Sequence, residues 1–590
     1  MKKGIFLFCL LISMLISFSA KTQIAAFPGA QGFGATVTTG GRGGQVIYVT
    51  NLNCSGPGSL NNALQQQGAK YILFKVSGII DCAAEIEWGD CTIAGQTSPG
   101  GIIVRGIVAD DWYEPSGSAR NIIIRHINSR PSTAEVRPGN GWILDDALRL
   151  DAAHNVVIDH CGFANATDEC VQISRSSNIC FQFNTLAETL GEHYTLGGML
   201  MNYSATNHRK DSITIHHNIW NRLGGRMPEF SCEQSGEAPS DQACINFPMK
   251  LEFSNNLLWD MPIQIWYNSG FFPDNSEAPE TQIRANFIGN RCVGRSSYSG
   301  PMFSHSLLNL PGNQFYTKDN SMNLYPGILD YGLFYCCNDF DEAQNHPNTD
   351  MGSANLLTSR LPYPAISYSN PNNIEAVNSL LCGPFNAYST DYRDQMTKRL
   401  MLSIIVNSID PSPVNGMDPY QDAFDLDFSS QPAAPLDSDN DGMPNDWELA
   451  NGLNPQVADH NGTQLSVAIT GIAGYTNLEC YLHCLSEHLI KGIPLCMVST
   501  AVDDVTSNDG QVMVISPNPA DEEIWINWKS GFSSEGQLRL IDLQGRVLKE
   551  MAVAKGNTQL SMNIAQFPAG IYLVQWTYPG AQVCQKLVIR

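Results

Sequence analysis

Positive charge is scarce in this 590-residue chain, which has 34 Lys and Arg against 57 Asp and Glu, a formal net charge of -23. Nucleic acids bind to basic faces, so this balance argues against a nucleic acid partner. An acidic polymer would also be repelled by the average surface, unless Arg and Lys are concentrated locally or a cation is recruited.

Long apolar runs are missing beyond the first residues of the chain. One run extends from Ile5 to Ile16, after Lys2 and Lys3 and before the small residues Ser17 to Ala20. This order is typical of a secretory signal peptide and predicts removal of residues 1–20. Since no later segment approaches the ~20 apolar residues of a membrane helix, we expect an exported chain without a membrane span.

Cysteine pairs with zinc-site spacing are missing too, since Cys480 and Cys484 are better explained by a disulfide or by buried thiols. Of the 17 cysteines, Cys9 lies inside the predicted signal, which leaves an even number in an exported chain and favours disulfides. Spacing cannot fix the pairing, but short loops favour two pairs, Cys82–Cys91 and Cys232–Cys244.

Five segments resemble one another and carry Asn or His at or next to their last residue. They begin 34, 23, 34 and 38 residues apart and are 121–127, 155–161, 178–184, 212–218 and 250–256. This variable period indicates coils that return to the same faces, with stacked aliphatic residues inside and Asn ladders at the turns. The strands of a β-sandwich would recur every 8–12 residues or so. We therefore predict an all-β fold, a right-handed parallel β-helix.

A second motif follows a Pro-rich linker at 431–435. Residues 437–448 fit D-x-[DN]-x-[DN]-G-x5-E at every position, which predicts a Ca²⁺ loop with oxygen ligands from Asp437, Asp439, Asp441 and Glu448. The sequence after the loop predicts short helices. We expect residues 431–500 to form a small calcium-binding spacer.

The last part of the chain, 509–590, alternates apolar and polar residues in short runs and predicts a small antiparallel β-sandwich. It resembles the C-terminal sorting domain of the type IX secretion route, which implies export across an outer membrane with that machinery as partner. A carbohydrate-binding module is the alternative, using Trp525, Trp528 and Trp576. The terminal Lys586–Arg590 segment favours the sorting domain over the carbohydrate-binding module.

The segment from Ile213 to Pro228 resembles the catalytic coil of secreted bacterial pectate lyases. A strand ends in His-His-Asn218, and Arg226 follows eight residues later. The segments 27–34 and 92–99 are similar to the N-terminal cap and first coils of that family. The likeness spans roughly residues 25 to 410, and we assign 21–430 to the β-helix.

The resemblance implies residue roles. Arg226 would remove the substrate proton, and Asp146, Asp168 and Glu169 would bind Ca²⁺. Asp145, Asp151 and Asp159 are weaker candidates, and hydrogen bonding between neighbouring coils is the favoured explanation for Asp159.

Two departures from the family pattern concern substrate binding. Many members have a Lys on the coil before the catalytic one, but 188–198 contains none, and a second Arg of some members falls here on Ser231. His193 and Arg222 are the predicted substitutes, with Arg209 and Lys210 as further possibilities.

The expected function is therefore calcium-assisted β-elimination on pectate or a related polyuronate of plant cell walls, by a secreted or surface-bound monomer. Two alternatives stay open. A polygalacturonase-like hydrolase would use paired acidic groups, and a non-catalytic polysaccharide-binding protein would need no base.

Overall fold

The structure is a computed structural model. It describes residues 24–112, 119–132, 145–190, 197–230, 247–261, 266–267, 283–296, 302–305, 313–335, 355–369, 374–375, 378, 382–384, 394–409, 422, 426–429, 431–496, 513–517, 520, 522–528, 535–541, 547–568, 570–578 and 581–589. The predicted signal at 1–20 lies outside these residues. Among them, no helix has the length and apolarity needed to cross a membrane.

Three parallel sheets wind into a right-handed β-helix, as predicted. The ten-stranded sheet consists of β1 (Gln45–Val49), β2 (Lys70–Phe74), β5 (Cys91–Ala94), β8 (Arg120–Arg125), β11 (His154–Asp159), β14 (Ser177–Gln182), β17 (Asp211–His216), β20 (Met249–Ser254), β23 (Ile283–Ile288) and β26 (Gln314–Lys318). The five similar segments of the sequence all contribute strands to this sheet.

The other two sheets complete each coil. The nine-stranded sheet consists of β3 (Gly78–Ile80), β6 (Ile102–Val104), β9 (Asn128–Ser129), β12 (Gly162–Ala164), β15 (Thr185–Ala187), β18 (Ile219–Asn221), β21 (Leu257–Met261), β24 (Arg291–Gly294) and β27 (Ser321–Met322). The six-stranded sheet consists of β4 (Ala84–Glu85), β7 (Ile107–Asp110), β10 (Leu148–Asp151), β13 (Val171–Ser174), β16 (Met199–Met201) and β19 (Glu229–Phe230). Three further short strands pair in parallel: β22 (Trp266–Tyr267), β25 (Phe303–His305) and β28 (Phe334–Tyr335).

Apolar side chains of equivalent positions stack along the inside of the coils. In the ten-stranded sheet one such row is in register from coil to coil: Ile122, Val156, Ile179, Ile213, Leu251, Ala285 and Phe315. All of them are buried in one continuous core. Because alternate residues of a strand point to opposite faces, this stacking sends every second side chain outward.

An asparagine ladder follows the ten-stranded sheet, as predicted. The side-chain N–H group of each Asn donates to the side-chain oxygen of the next, at 2.9–3.1 Å, through Asn184, Asn218, Asn256, Asn290 and Asn320. These amides are buried, so the ladder satisfies polar groups that would otherwise be costly inside the protein.

Stacked rings occupy the positions just before the ladder. The centroids of His126, His160, Phe183 and His217 are separated in turn by 5.2, 5.1 and 4.9 Å. Burial lowers the pKa of His126 and His217 well below the usual value and that of the adjacent His216 to about 4. These imidazoles are therefore held neutral in the folded chain.

Acid should weaken the fold through these imidazoles. Their folded-state pKa values lie below the unfolded value, so the unfolded chain takes up protons first, and stability is lost as pH falls from about 6.5 towards 4. Replacing His216 by Asn should reduce this pH dependence by about 1.4 kcal/mol per pH unit in that window. Urea unfolding at several pH values measures it, with the exposed His488→Asn as control. Equal slopes in the His216→Asn variant and the wild type would contradict the prediction.

Helices pack outside the coils. The described helices are Leu60–Leu64, Gln395–Ile405, Asn445–Ala450, Ser466–Thr470 and Asn477–Lys491, with 3-10 turns at Gly34–Thr36, Gly95–Thr97 and Asp330–Leu333. Helix Gln395–Ile405 begins after Asp394, whose carboxylate caps the backbone N–H of Thr397 and contacts Arg130 at 2.7 Å. Its Met396 and Leu400 pack on Ala164 and Ala187 of the nine-stranded sheet.

The predicted spacer packs directly on the β-helix. Leu478 of helix Asn477–Lys491 and Trp447 share a core with Tyr71 and Leu73 of β2, and the carboxylate of Glu479 lies 2.8 Å from Arg42. Residues Met1–Val498 accordingly form one compact unit.

Residues Ser499–Arg590 form a second compact unit. It contains two antiparallel sheets, as predicted for a β-sandwich. The first consists of β29 (Met513–Ser516), β30 (Glu523–Trp528) and β33 (Gln559–Asn563), and the second of β32 (Val547–Val553), β31 (Gly536–Ile541), β34 (Gly570–Tyr578) and β35 (Ala581–Ile589). Trp528 and Trp576 are buried between them, whereas Trp525 is exposed.

The prediction of a Cys82–Cys91 disulfide is wrong. Cys82 bonds Cys54 instead, and Cys91 is a buried free thiol at the start of β5. Cys484 bonds Cys496, while Cys480 is free and buried. Cys54 and Cys82 meet because the chain between them returns to the same edge of the coil, whereas Cys484 lies on helix Asn477–Lys491 and Cys496 on the segment that follows it. The predicted Cys232–Cys244 pair lies outside the described residues.

Candidate functional site

Four predicted site residues lie at one edge of the six-stranded sheet, in turns that lead into its strands. Asp146 precedes β10, Asp168 and Glu169 precede β13, and Arg226 precedes β19. Strands β10, β13, β16 and β19 are consecutive neighbours, each about 4.8 Å from the next, so these turns are stacked.

The three carboxylates form one cluster. Asp146, Asp168 and Glu169 each offer an oxygen that lies within 4.8 Å of the others. Burial and the repulsion of Asp168 raise the pKa of Asp146 to about 6, and burial with repulsion from Asp146 and Asp168 raises that of Glu169 well above its usual value. Concentrated negative charge of this kind fits a divalent cation with oxygen ligands.

Arg226 joins this cluster. Its backbone has a φ of 51°, and its side chain is 13% exposed. The guanidinium contacts the carboxylate of Glu169 and lies 3.0 Å from that of Glu229 through Nε. The guanidinium of Arg226 is therefore flanked by two carboxylates, that of Glu169 in the acidic cluster and that of Glu229 on β19.

The coil between Glu169 and Arg226 carries two glycines at this edge. The N–H of Gly198 donates to the carbonyl of Gly225 at 3.2 Å, and the carbonyl of Gly197 accepts from Cys170 N at 2.7 Å. A Cβ on Gly198 would lie 2.4 Å from the carbonyl oxygen of Arg226. The guanidinium thus reaches Glu169 across a coil where no side chain intervenes at residues 197–198.

The predicted substrate-binding residue Arg222 pairs with carboxylates outside the acidic cluster. Arg222 is buried, with its guanidinium 2.9 Å from Glu188 and 2.8 Å from Asp260. Lys210 is also buried and donates to the carbonyl of Met201 at 2.8 Å. His193 lies outside the described residues. The assignment of Arg222 and His193 to substrate stays a prediction.

Two weaker candidates for cation binding are held in pairs between coils. The carboxylate of Asp151 lies against the buried Arg175, with 2.7 Å between Oδ1 and Nε. Asp159 accepts from Arg125 and Gln182, both at 2.7 Å, as the favoured explanation predicted.

A second acidic group lies in the loop before helix Asn445–Ala450. Asp437, Asp439 and Asp441 offer oxygens within 4.8 Å of one another, and Asp441 does the same with Glu448 and Asp459. Asp437 accepts the backbone N–H groups of residues 440, 441 and 442 at 2.8–3.3 Å, which orders the loop.

Glu448 is the most informative member of this group. Its side chain is completely buried, and neither carboxylate oxygen has a hydrogen-bond partner. Burial and repulsion by the neighbouring aspartates raise its pKa to about 8. A buried carboxylate without a donor is costly unless a cation binds it, so the residues fit a Ca²⁺ ion.

The acidic loop also contacts the first coils. The phenol of Tyr48 in β1 donates to Asp437, and the ammonium of Lys75 donates to Asn440 at 3.0 Å. Gly442 has a φ of 100°, and a Cβ there would lie 2.8 Å from Leu73 of β2. The conformation of the acidic loop is thus stabilised by its contacts with the first coils of the β-helix.

Two residues of these sites were missed in the sequence. Glu229 follows Arg226 by three positions, and Asp459 lies 11 residues beyond Glu448, outside the twelve-residue motif. An acidic residue close behind the predicted arginine is a usable signal for Glu229. The sequence contains no comparable signal for Asp459, because only the folded chain brings this residue next to Asp441 and Glu448.

A parallel β-helix that combines a carboxylate cluster with an arginine at one sheet edge is the arrangement that the resemblance to polysaccharide lyases predicts.

Comparisons with curated protein sequences agree. Two curated proteins named "Probable pectate lyase C", from Aspergillus flavus and Aspergillus oryzae, are each 28% identical over 480 residues, which is 80% of this chain and 97% of theirs. The family model described as a secretion system C-terminal sorting domain matches residues 514–590. Among solved structures, the cedar pollen allergen jun a 1 is 16% identical with a TM-score of 0.36, covering 59% of this chain and 91% of its own.

The chain is a pectate lyase-like polysaccharide lyase with a type IX sorting domain. Its sorting domain marks it for export, in agreement with the predicted secreted or cell-surface location.

Proposed function

We propose that the enzyme cleaves pectate or a related polyuronate by calcium-assisted β-elimination, with Arg226 as the base and Asp146, Asp168 and Glu169 as the cation ligands. The observation that carries the proposal is the contact between the Arg226 guanidinium and Glu169 within the acidic cluster. It puts the predicted base and the predicted cation ligands in one place.

The reaction removes the proton from C5 of a uronate, forms a double bond between C4 and C5, and expels the C4 oxygen with the electrons of its bond. Calcium bound by the cluster would supply positive charge to the substrate carboxylate and so make the C5 proton more acidic. A lyase needs no attacking water, in contrast to a hydrolase.

Arg226 can act as a base only after its ion pairs with neighbouring carboxylates are weakened. A guanidinium normally keeps its proton, and Glu169 and Glu229 stabilise the charged form on both sides. Binding of substrate must weaken at least one of these ion pairs. We assign Glu229 a positioning role, because it holds Nε while the other end of the guanidinium reaches the cluster.

The remaining organisation follows the sequence. We propose a signal peptide at 1–20, a β-helix at 21–430, a calcium-binding spacer at 431–500 and a sorting domain at 509–590. The enzyme would act as a monomer on acidic plant polysaccharide after export by the type IX machinery.

The direct test is incubation of the purified full chain with polygalacturonate and calcium. Product that absorbs near the ultraviolet edge supports elimination, because the new C4–C5 double bond is conjugated with the carboxylate. New reducing ends without that absorbance would identify a hydrolase. Polymer binding without new chain ends would identify a binding protein.

We further propose that the second acidic group binds a structural Ca²⁺ through Asp437, Asp439, Asp441 and Glu448, with Asp459 as an additional ligand. The support is the buried carboxylate of Glu448, whose oxygens have no hydrogen-bond partner.

Saturating calcium should raise the melting temperature of the chain, and Glu448→Gln should remove most of this gain. At 100 times Kd, a bound ion stabilises a protein by about 2.7 kcal/mol. Asp446→Asn is the matched control, because Asp446 is an exposed acid in the same helix. A calcium response that persists unchanged in Glu448→Gln would place the ion elsewhere.

A further inference from the structure

We infer that Arg149 binds a carboxylate of the polymer beside the one held at the acidic cluster. This subsite rests on the proposed function, since it assumes an acidic polysaccharide on the face of the six-stranded sheet. Arg149 has no role in the site as predicted from sequence.

The sheet itself places Arg149 on the outside. Leu148 and Leu150 of β10 are buried in the core, so the side chain between them points away from it. The register aligns this position with Gln172 of β13, then with Leu200 of β16 and Glu229 of β19. One outward row therefore leads from Arg149 to the residue that holds Arg226.

Exposure distinguishes Arg149 from the other arginines of this face. Its side chain is 31% exposed, compared with 13% for Arg226 and 1% for Arg175. Arg175 is committed to Asp151, with 2.7 Å between Nε and Oδ1. Among the described arginines of the sheet, Arg149 is the one best placed to meet a ligand from solvent.

The negative charge around the acidic cluster is a second reason to expect a substrate-binding arginine here. The four carboxylates of Asp146, Asp168, Glu169 and Glu229 face one cation, Arg226, and a divalent ion would still leave a net negative charge. A polyuronate approaching this edge needs a further accessible positive group. Arg149 lies three residues after Asp146 on the same coil.

Two aspartates orient the side chain. The guanidinium of Arg149 lies 3.8 Å from Asp110 on β7 and 3.5 Å from Asp151 on its own strand. These contacts hold it along the sheet face while leaving part of it open to solvent. A planar guanidinium in this position can bind a carboxylate through two parallel hydrogen bonds.

The test compares Arg149→Gln and Arg149→Lys with wild type, on polygalacturonate in calcium. Arg291→Gln is the matched control, a 25%-exposed, ion-paired arginine at the start of β24 in the nine-stranded sheet. Replacing the charged, two-pronged guanidinium by a neutral amide should raise KM at least about tenfold in Arg149→Gln. The kcat should stay near the wild-type value, Arg149→Lys should recover part of the affinity, and the difference should shrink on highly methyl-esterified polymer.

Binding of polygalacturonate to Arg226→Lys, with and without Arg149→Gln, provides a readout independent of turnover. An active wild type with equal KM values for Arg149→Gln and wild type would overturn the subsite while leaving the proposed function intact. No ultraviolet-absorbing product from wild type would overturn the proposed function instead, and the binding comparison would then decide the subsite: equal affinities would reject it.

Discussion

Replacing Arg226 by Lys is expected to lower the rate of elimination by at least about 100-fold, the usual scale for losing a positioned acid–base group. A lysine keeps the positive charge but loses the planar fork that contacts Glu169 and Glu229 together. Because the residue lies in a turn and not in the apolar core, the melting temperature should change little. The measurement is the initial rate of ultraviolet-absorbing product, together with thermal unfolding.

Arg291→Lys is the control for this variant, because Arg291 is also paired with a carboxylate, that of Glu375 at 2.8 Å, but lies in the nine-stranded sheet. It should retain wild-type rates. Turnover of Arg226→Lys at the wild-type rate would remove Arg226 from the reaction. The base would then have to be sought among the other polar residues of the same sheet face.

Replacing Glu169 by Gln should abolish elimination and weaken cation binding at the same time. Glu169 is 2% exposed and belongs to the cluster with Asp146 and Asp168, so the variant removes one of its three carboxylates. It also removes a partner of Arg226. The aliphatic coil core is unaffected, and the fold should remain. Calcium titration by calorimetry and product formation measure the two effects.

The second acidic group would also take up calcium and add to the calorimetric signal. The titration is therefore best carried out in the Glu448→Gln background, in which this second site is weakened. Glu375→Gln serves as the matched control, being a carboxylate paired with arginine away from the six-stranded sheet. Chelation should stop wild-type turnover. If chelated wild type or Glu169→Gln eliminated substrate at the normal rate, calcium would not stabilise the developing charge, and arginines of the sheet face would have to do so alone.

The coil repeat was readable in the sequence because its signal is local. The segments at 155–161, 178–184 and 212–218 each contain all but the first residue of a strand, with its inward aliphatics and its ladder position. Coils with the same pattern must stack to bury these aliphatic side chains. The twelve-residue acidic loop is similarly self-contained. Its predicted ligands lie within twelve residues of one another, so spacing alone is informative.

Pairings between distant segments were not readable in this way. Cys82 has Cys91 nearer in sequence but Cys54 nearer in space, because 28 residues of chain return to the same edge of the coil. Arg222 was predicted as a substitute for the missing family residues, and the structure buries it between Glu188 and Asp260. Its neighbours are set by which turn of the β-helix it occupies.

Local patterns and the family resemblance were enough to predict the β-helix, export, the acidic loop and the candidates Arg226, Asp146, Asp168 and Glu169. Four features required the folded coils: the contact of Arg226 with Glu169, the contact of Glu229 with Arg226, the place of Asp459 beside the loop, and the partly exposed position of Arg149 on the same sheet. The physical reason is coil length. Two residues stack when the chain between them completes a whole number of coils. Because the loops vary in length, the number of residues per coil varies, and the sequence spacing does not show which residues will stack.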